Sequence, residues 1–328
     1  MKKRIFSGIQ PSGDLHIGNY LGAIKNWVNL QDEHENIFCV VDLHAITVPQ
    51  EPALLKKRII EIANVYLASG IDPKKSKIFV QSSRPEHAEL GWILNCFTYF
   101  GEMKRMTQFK DKAGSNQESV SMGLFDYPAL MAADILLYNT HLVPVGKDQF
   151  QHLELTRTIA KRFNNKYGNI LTLPEPFYHK ESVMIMGLDE PTKKMAKSAK
   201  SENNYIALKD PENIVRKKIA KAVTDSGSEI KSGEDKPALT NLLNIFASFS
   251  GKKVAELEKH YQGKTYKEFK DDLADTIISF LNPFQKKLTQ LEKDKSYTEK
   301  VLKDGAQQVA PIAQDTLTKV KKVIGLGL

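Results

Sequence analysis

Short apolar runs alternate with longer helical patterns along the first half of the chain. Residues 5–8, 37–41 and 78–81 are short runs rich in strand-forming residues. Between the second and third runs, apolar residues recur at helical spacing over 52–67, and Ser69 and Gly70 end that pattern. Strands that alternate with helices predict an α/β fold with a mainly parallel, doubly wound sheet.

Two more helices and a strand are predicted before residue 150. Residues 127–138 have a helical pattern, and residues 142–145 form another strand-like run. After Pro85, a predicted helix has one face that is too apolar to be left in water. That face carries Leu90, Ile93, Leu94 and Phe97. It is predicted to belong either to the core or to a subunit interface.

The pattern changes at about Pro191. Helical periodicity dominates from there, over 239–246 and again over 273–281, with loops rich in Gly, Ser and Lys between. A lysine-rich helix is predicted at about 310–324, and Gly325 ends it. The second half therefore predicts a smaller, all-helical domain.

Composition adds limits to this picture. The 328 residues suggest two domains, at roughly 150 residues each. The few apolar residues that follow the basic N-terminus are too short for a signal peptide, and no other segment could span a bilayer, so a cytoplasmic protein without membrane contact is predicted. Cys39 and Cys96 lie in apolar runs, so both are predicted to be reduced core residues, and no metal site is expected.

The charge is unevenly distributed. The net charge is +8, from 47 basic and 39 acidic residues. Nine basic residues and three acidic ones lie between Lys193 and Lys221. This basic run would suit a polyanionic partner such as RNA, and a solvated helix face is the alternative.

The first candidate for chemistry is the stretch 4–21, RIFSGIQPSGDLHIGNYL. An apolar run breaks into turn-forming residues over 7–13, and His16 then opens an amphipathic segment. In a parallel sheet, such a strand–loop–helix crossing favours an anion such as phosphate at the helix N-terminus. Gly18 permits close approach to the backbone, and His16 can donate to an oxyanion. An ordinary turn with a solvated histidine is the alternative.

The second candidate is PTKKMAKS at 191–198, which lies at the predicted domain junction. Lys194 and Lys197 are three residues apart, and the hydroxyl of Ser198 follows them. Lysine ammonium groups on a loop can follow the charge that develops on a triphosphate during its cleavage. In isolation, the same segment would be a charged linker.

In combination, HIGN at 16–19 and KMAKS at 194–198 resemble the HIGH and KMSKS signatures of class I aminoacyl-tRNA synthetases. Further segments are similar, in the same order, to the bacterial type of tryptophanyl-tRNA synthetases. These segments are IFSGIQPSGDLHIGN, VDLHAITV, MTQFKDK, YPALMAADILLYNT, VPVGKDQ, PTKKMAKS, and AVTDS followed by NLLNI. The resemblance covers nearly the whole chain.

The resemblance implies a domain organisation and an activity. It implies a Rossmann-like catalytic domain at 1–192 with the ATP and tryptophan site and a dimer interface, and a helical domain at 193–295 that binds the tRNA anticodon. A C-terminal helical segment at 296–328 would pack back on the catalytic domain. Members of the family join L-tryptophan to ATP as tryptophanyl adenylate, release pyrophosphate and pass tryptophan to tRNA-Trp. A homodimer is implied, and ATP would carry Mg²⁺ held mainly by phosphate oxygens.

The roles that the resemblance implies fall on residues that match the family's motifs. Catalysis would use His16, Lys112, Lys194, Lys197 and Ser198. ATP would be bound by Gln10, Ser12, His16, Gly18, Asn19, Gly146, Asp148, Gln149, Ile185, Lys194, Met195, Lys197 and Ser198. Tryptophan would be bound by Phe6, Gln10, Val41, His44, Tyr127, Met131, Asp134, Val143, Val145 and Gln149.

One of these residues, Asp134, would accept the indole N–H. It is the one acid in the apolar segment YPALMAADILLY, and a buried carboxylate without a partner is costly, so a partner is expected. Three histidines outside the motifs lie in polar stretches that are predicted to be loops, and they are predicted to be surface residues. They are His34, His87 and His179.

The chain departs from the family's pattern at a few positions. Asn19 stands where the class signature has a second histidine, and Ala196 replaces the central serine of KMSKS, which removes a hydroxyl that could bind phosphate. Ala199 stands where an aspartate is usual. These two alanines put the strength of loop closure in question, but not the reaction. Lys147 occupies a position that is commonly acidic, and nothing in the sequence explains it.

Three alternatives stay open. Tyrosyl-tRNA synthetases share the fold and signatures, but they have a tyrosine on the first strand where this chain has Phe6, and a phenol both donates and accepts a hydrogen bond whereas an indole only donates. A small nucleotidylyltransferase would lack KMAKS and a helical domain of this size. A non-catalytic paralogue that binds tryptophan or RNA would have no need of His16 and both lysines.

Overall fold

The computed structural model describes residues 2–107, 120–146, 149–177 and 184–327. The strands are β1 (Arg4–Ile9), β2 (Glu35–Val40), β3 (Ser76–Val80), β4 (Leu142–Pro144) and β5 (Glu175–Phe177). The helices are α1 (Ile17–Asn19), α2 (Lys25–Leu30), α3 (Asp42–Ala45), α4 (Pro52–Ala68), α5 (Glu86–Asn95), α6 (Phe100–Lys104), α7 (Met122–Leu136), α8 (Phe150–Tyr167), α9 (Glu212–Lys221), α10 (Pro237–Ser250), α11 (Val254–His260), α12 (Tyr266–Lys293) and α13 (Lys295–Ile324). A π-helical turn, Tyr20–Ile24, joins α1 to α2.

The strands form one parallel sheet in the order β3-β2-β1-β4-β5. The predicted doubly wound α/β fold is therefore confirmed. The chain moves outward from β1 through β2 to β3 and then returns to the other side of β1 for β4. In such sheets, ligands bind beyond the carboxyl ends of the strands where the order reverses, which here is the crevice between β1 and β4.

The chain divides into two compact units. The sheet unit consists of Met1–Ser12, Asn29–His179 and Leu291–Leu328, and the helical unit consists of Gly13–Val28 and Lys180–Gln290. The functional boundaries that the resemblance implied at 192 and 295 stay predictions. Among the residues that the structure describes, no helix has the length and apolar character that a bilayer crossing would need.

The apolar face of α5 lies in the core of the sheet unit. Leu90, Ile93 and Leu94 are buried against α7, so the core interpretation of this face is confirmed. The prediction for the two cysteines is half right, because Cys39 is buried in β2 but Cys96 is exposed. Cys96 lies one helical turn after Trp92, which is 72% exposed, so both residues belong to the outer face of α5.

The helical unit has its own core. Its buried residues include the four apolar positions predicted on each of two helices, α10 and α12. They are Leu239, Leu242, Leu243 and Phe246, followed by Leu273, Ile277, Ile278 and Leu281. From its periodicity the last helix was predicted too short, because α13 begins at Lys295 rather than near residue 310. This helix belongs to the sheet unit.

Helix α13 approaches strand β3 at backbone distance. A Cβ added at Gly305 would lie 1.9 Å from the carbonyl oxygen of Ile78, so any larger residue must push the helix away from the strand. We expect Gly305→Ala to lower the free energy of unfolding by about 1–3 kcal/mol, as overpacking of a tight core does. Urea unfolding measures the loss. Gly101→Ala in α6 is the matched control, because within the described part of the chain a Cβ there meets only the Arg105 side chain, at 3.8 Å. Equal losses in the two variants would contradict the prediction.

Candidate active site

The carboxyl ends of the strands bring together most residues predicted to bind tryptophan. Gln10 directly follows β1, Val41 and His44 follow β2, and Val145 follows β4. The Gln10 side-chain amide donates to the backbone oxygen of His44 over 3.1 Å, which ties the ends of β1 and β2 together. The remaining apolar members share the same core cluster of the sheet unit. They are Phe6, Met131 and Val143.

Asp134 lies at the centre of a buried hydrogen-bond network. It is 2% exposed, and its Oδ2 accepts from Nε2 of His44 at 2.7 Å. Its Oδ1 accepts from the Gln81 amide at 2.6 Å and from Nδ1 of His87 at 2.7 Å. The sequence predicted a partner for this carboxylate, and three side chains donate to it: His44, Gln81 and His87. Among the described residues, Oδ2 has one donor and Oδ1 has two, so Oδ2 has more remaining acceptor capacity.

These partners keep the carboxylate charged. Burial alone would raise the pKa of Asp134, but His44 and His87, by their charge interactions and hydrogen bonds, hold this pKa below its ordinary value. A charged carboxylate only accepts hydrogen bonds. The site therefore suits a ligand group that only donates, such as an indole N–H.

The prediction that His87 is a surface residue is wrong. His87 is fully buried, with Nδ1 hydrogen-bonded to Asp134 and Nε2 hydrogen-bonded to the hydroxyl of Tyr138, each at 2.7 Å. The signal was present in the sequence, because His87 falls three and seven residues before Leu90 and Leu94 and so shares their apolar face. Gln81 and Tyr138 were also missed, although Gln81 directly follows β3 at the carboxyl edge of the sheet.

Tyr127 lies beside this network. Its hydroxyl is 2.8 Å from Nε2 of His152, and its ring meets the His44 ring edge-on with centroids 6.2 Å apart. Burial raises the pKa of Tyr127 to about 12, so the hydroxyl stays protonated at neutral pH. His152 is a fully buried residue that sequence reasoning missed, and no motif marked it.

Other predicted residues of the sheet unit occupy the loops around these strands. Gln149 is the residue that precedes α8, and its backbone N–H donates to the oxygen of Gly146. Ser12 is exposed, and its backbone N–H donates to the oxygen of Gln10. Lys112, Lys147, Asp148 and His179 lie outside the described residues.

The HIGN segment lies in the helical unit. His16 is the residue that precedes α1, and its backbone N–H donates to Oδ1 of Asn19 at 3.0 Å. This hydrogen bond closes the first turn of the helix. Asn19, which stands where the class signature has its second histidine, therefore has a structural role. Tyr20 anchors the following turn, because its ring packs on Phe280 with centroids 4.4 Å apart.

Gly18 makes room for the His16 ring. A Cβ at Gly18 would lie 2.9 Å from Nδ1 of His16 and 3.5 Å from Cβ of Met195. Gly18 therefore lies against two other residues that are predicted to bind ATP, His16 and Met195. His16 is 7% exposed, and its Nδ1 is a buried polar atom without a hydrogen-bond partner among the described residues. An unsatisfied buried nitrogen is costly, which suits a group that is completed by a ligand.

The His16 imidazole is neutral at physiological pH. Burial, and then the positive charge of Lys194, lower the pKa of His16 to about 4. The ring can therefore donate from one nitrogen while the other accepts. This matches a role at a phosphate, where a neutral ring adds a hydrogen bond without a full charge.

The lowered pKa makes stability depend on pH. Between about pH 6.5 and pH 4, His16 is protonated in the unfolded chain but neutral in the folded protein. The free energy of unfolding therefore falls as the pH decreases through this range. At about 1.4 kcal/mol per pKa unit, we expect a loss on the order of 3 kcal/mol. Urea unfolding from pH 7 to pH 4 should show a shallower dependence for His16→Gln than for wild type. The exposed His260→Gln is the control, and identical pH slopes for His16→Gln and wild type would contradict the prediction.

The KMAKS loop also lies in the helical unit. Met195 is buried, its backbone N–H donates to the oxygen of Ile185 at 3.0 Å, and Lys194 forms a backbone bridge with Met186. Lys194, Lys197 and Ser198 are exposed. Nζ of Lys197 is 3.5 Å from Oδ2 of Asp14, and both side chains are about half exposed, so the pair is weak.

Asn204 holds this loop in place and was missed by sequence reasoning. It is 2% exposed, its Oδ1 accepts from the backbone N–H of Ala196 at 3.1 Å, and its amide donates to Asp189 at 2.5 Å. The position of Ala196, where the family has serine, is thus fixed through its backbone. Asn204 lies in a polar loop where nothing in the sequence distinguishes it from a surface residue.

Three comparisons with known proteins agree. A family model described as tRNA synthetases class I (W and Y) matches residues 1–282. The chain is 55% identical over 327 residues to a tryptophan–tRNA ligase of Clostridium tetani, which covers 100% of this chain and 97% of that protein. A crystal structure of tryptophanyl-tRNA synthetase from Mycoplasma pneumoniae superposes with a TM-score of 0.93 at 38% identity, covering 100% and 99% of the two chains. A Campylobacter jejuni tryptophanyl-tRNA synthetase complexed with ADP and tryptophan gives 0.83 at 38% identity, covering 98% and 100%.

Proposed function

Since the chain belongs to the family of class I tRNA synthetases for tryptophan and tyrosine, we infer that it is a tryptophan–tRNA ligase. It activates L-tryptophan with ATP to tryptophanyl adenylate and pyrophosphate, and then transfers tryptophan to tRNA-Trp. The observation that carries this conclusion is the agreement with the Clostridium tetani tryptophan–tRNA ligase over essentially the whole of both chains. The tyrosine alternative and the non-catalytic alternative have no comparable support.

The geometry around Asp134 supports the choice of tryptophan. A tyrosine phenol needs both an acceptor and a donor, whereas the indole N–H needs one acceptor. The charged Asp134 can supply that acceptor, and Phe6, which carries no hydroxyl, lies in the same core cluster. We propose that Oδ2 of Asp134 accepts the indole N–H, because within the described part of the chain His44 is the one donor to this oxygen.

The chain's own residues would promote adenylate formation by positioning and by charge. The tryptophan carboxylate attacks the α-phosphorus in line, so no protein nucleophile is needed. The neutral His16 would donate to a phosphate oxygen, with its backbone held by the Asn19 side chain and its ring accommodated beside Gly18. Lys194 and Lys197 would stabilise charge on the leaving pyrophosphate.

Mg²⁺ is proposed as the companion of ATP. The described residues contain no group of three or more His, Cys, Asp or Glu side chains arranged to hold a metal ion. Mg²⁺ in a nucleotide site is commonly held by phosphate oxygens and water with few protein ligands, and we propose this arrangement here. When bound, it would neutralise phosphate charge.

A homodimer is proposed from the exposed apolar surface of the sheet unit. Trp92, Phe100 and Met122 are 72%, 69% and 67% exposed. Phe100 packs on Phe125 with ring centroids 5.3 Å apart, which links the surfaces of α6 and α7. Large apolar side chains at this exposure favour a covered surface, and a second copy of the chain would cover it. Light scattering would then give twice the 37.0 kDa chain mass.

Contact with tRNA is proposed for the exposed part of the basic run. Arg216 and Lys217 are exposed on α9, whereas Lys218 is buried and is not available to RNA. We expect Arg216→Ala combined with Lys217→Ala to weaken tRNA binding and to flatten its salt dependence, by a slope of about 0.7 to 0.9 for each lost phosphate contact. Filter binding at several salt concentrations measures this slope. Pyrophosphate exchange without tRNA should survive, and if it falls in parallel, the two side chains act structurally and the proposal fails.

The direct test of the function is amino-acid-dependent exchange of pyrophosphate into ATP, followed by charging of tRNA-Trp. Exchange should depend on tryptophan and not on tyrosine or phenylalanine. Exchange with tyrosine would favour the tyrosyl alternative, and tryptophan binding without exchange would favour a non-catalytic paralogue. A cytoplasmic location is proposed on the ground that tRNA charging serves translation there.

A further inference from the structure

Behind the His16 backbone lies a short segment, residues 205–210, that no motif distinguished. It runs antiparallel to the HIGN segment, because the backbone N–H of Ile17 donates to the oxygen of Ile206 and that of Leu208 donates to the oxygen of Leu15, both at 2.9 Å. Residues 15–17 are therefore held by an antiparallel β-bridge to residues 206–208. The place of His16 depends on the place of this segment, which we call the support segment.

The support segment is fixed from its far side by Lys218. The Lys218 ammonium is 2.6 Å from Oδ2 of Asp210, and the same oxygen accepts the backbone N–H of Ala207 at 2.9 Å. Ala207 is the residue that bridges to His16. Gln285 of α12 adds two bonds, from its amide to the oxygens of Leu208 and Asp210 at 3.0 and 2.9 Å.

Lys218 also acts on the ring that faces the imidazole. Its Nζ lies 4.7 Å from the centroid of the Tyr205 ring, within the range of a cation–π contact. The Tyr205 ring is in turn 6.0 Å from the His16 ring, with the two planes tilted by 53°. One buried cation therefore touches the support segment at both ends, at Tyr205 and at Asp210.

Burial makes this cation sensitive to replacement. The Lys218 and Asp210 side chains are 9% and 15% exposed, so removing one leaves the other desolvated and unpaired. Unpaired partners of buried ion pairs drive local rearrangement, which here would displace the segment that holds His16. Lys221, one turn further along α9, is exposed and offers a matched comparison.

We propose that Lys218 is a positioning residue for His16, which acts through Asp210 and Tyr205 of the support segment to set the imidazole against the nucleotide. The residue had been assigned from sequence to a basic run with an RNA partner. In the structure, Lys218 instead points into the helical unit, where it contacts Asp210 and Tyr205. This inference rests on the proposed function for its kinetic part only, because the orientation of His16 can be observed without turnover.

The test compares Lys218→Met, Lys218→Arg and Lys221→Met. For Lys218→Met, we expect kcat/KM for ATP in pyrophosphate exchange to fall about 10- to 100-fold, as a small misplacement of a binding group does, with the KM for tryptophan unchanged. Lys218→Arg should recover most of the loss, because guanidinium can both pair with Asp210 and stack on Tyr205. Lys221→Met should match wild type.

A second measurement reads His16 directly. In protein labelled at its eight histidines, the His16 ring resonance, assigned with His16→Gln, should shift in Lys218→Met, while the other seven stay in place. Wild-type exchange kinetics with an unmoved His16 resonance would overturn the proposal. Equal losses for ATP and tryptophan with all resonances displaced would also overturn it, since they indicate general unfolding. Absence of exchange in wild type would contradict the proposed function alone, because the resonance would still report on Lys218.

Discussion

Lys197→Ala is expected to slow adenylate formation by about 100- to 1,000-fold while leaving tryptophan affinity nearly unchanged. That is the size of effect found when a donor that stabilises charge in the transition state is removed. Among the described residues, the Lys197 ammonium pairs with Asp14 through a weak, exposed contact. Little interaction energy is lost when the ammonium group leaves Asp14 and binds a pyrophosphate whose negative charge is increasing. Rapid mixing of enzyme, tryptophan and ATP, with adenylate quantified before the first turnover ends, measures the rate.

A neighbouring lysine is the control for this experiment. Lys193 is 73% exposed and pairs with Glu190 within the same loop. Lys193→Ala removes an equal charge but no predicted triphosphate contact, so its adenylate rate should stay within a few-fold of wild type. Equal losses in both variants would show that the loop needs net charge rather than this particular side chain. An unchanged rate in Lys197→Ala would remove Lys197 from the mechanism.

Asp134→Ala is expected to reduce kcat/KM for tryptophan by roughly 5- to 150-fold. Loss of a buried hydrogen-bond acceptor costs about 1 to 3 kcal/mol, and 1.4 kcal/mol corresponds to a tenfold change. An analogue with carbon in place of the indole nitrogen should be a poor substrate for wild type but should lose little more in the variant. Equal losses for tryptophan and analogue would show that Asp134 does not recognise the N–H.

The same substitution should also destabilise the protein. Removing the carboxylate leaves three donors, on His44, Gln81 and His87, without their acceptor in a buried place. Breaking a buried charged network typically costs about 3–5 kcal/mol in the free energy of unfolding. Asp126→Asn on the same helix is the control, because Asp126 is half-buried and its pKa is raised by burial rather than lowered by partners. Kinetics are compared only at temperatures where both variants are folded.

The apolar pattern predicted β1, β2 and β3 because each of them contains a short run of buried apolar residues. The alternation of these runs with helical patterns was sufficient to predict a parallel, doubly wound fold. β5 was missed because it has three residues, one of which is Pro176. So short a strand has no period that can be recognised in sequence.

The histidines show where sequence reasoning fails. His87 was predicted to be a surface residue of a polar loop, yet its helical position relative to Leu90 places it in the core beside Asp134. Lys218 gave no such signal, because its partner Asp210 and the ring of Tyr205 are brought to it only by folding. The local sequence pattern predicts which face of a helix a residue occupies, but it does not predict which residues, distant in sequence, pack against that face.

The sheet unit is assembled from three separate stretches of chain, and the last of them contains α13. Gly305 of this helix sits directly against the β3 backbone, so the helix covers one face of the sheet. During synthesis, α13 leaves the ribosome after the whole helical unit. The helical unit, whose two stretches end at Gln290, can therefore fold on the emerging chain, whereas β3 has to wait for its cover. A nascent chain halted before α13 would leave apolar residues of the sheet unit uncovered, and we expect such a chain to aggregate more readily than the full-length chain.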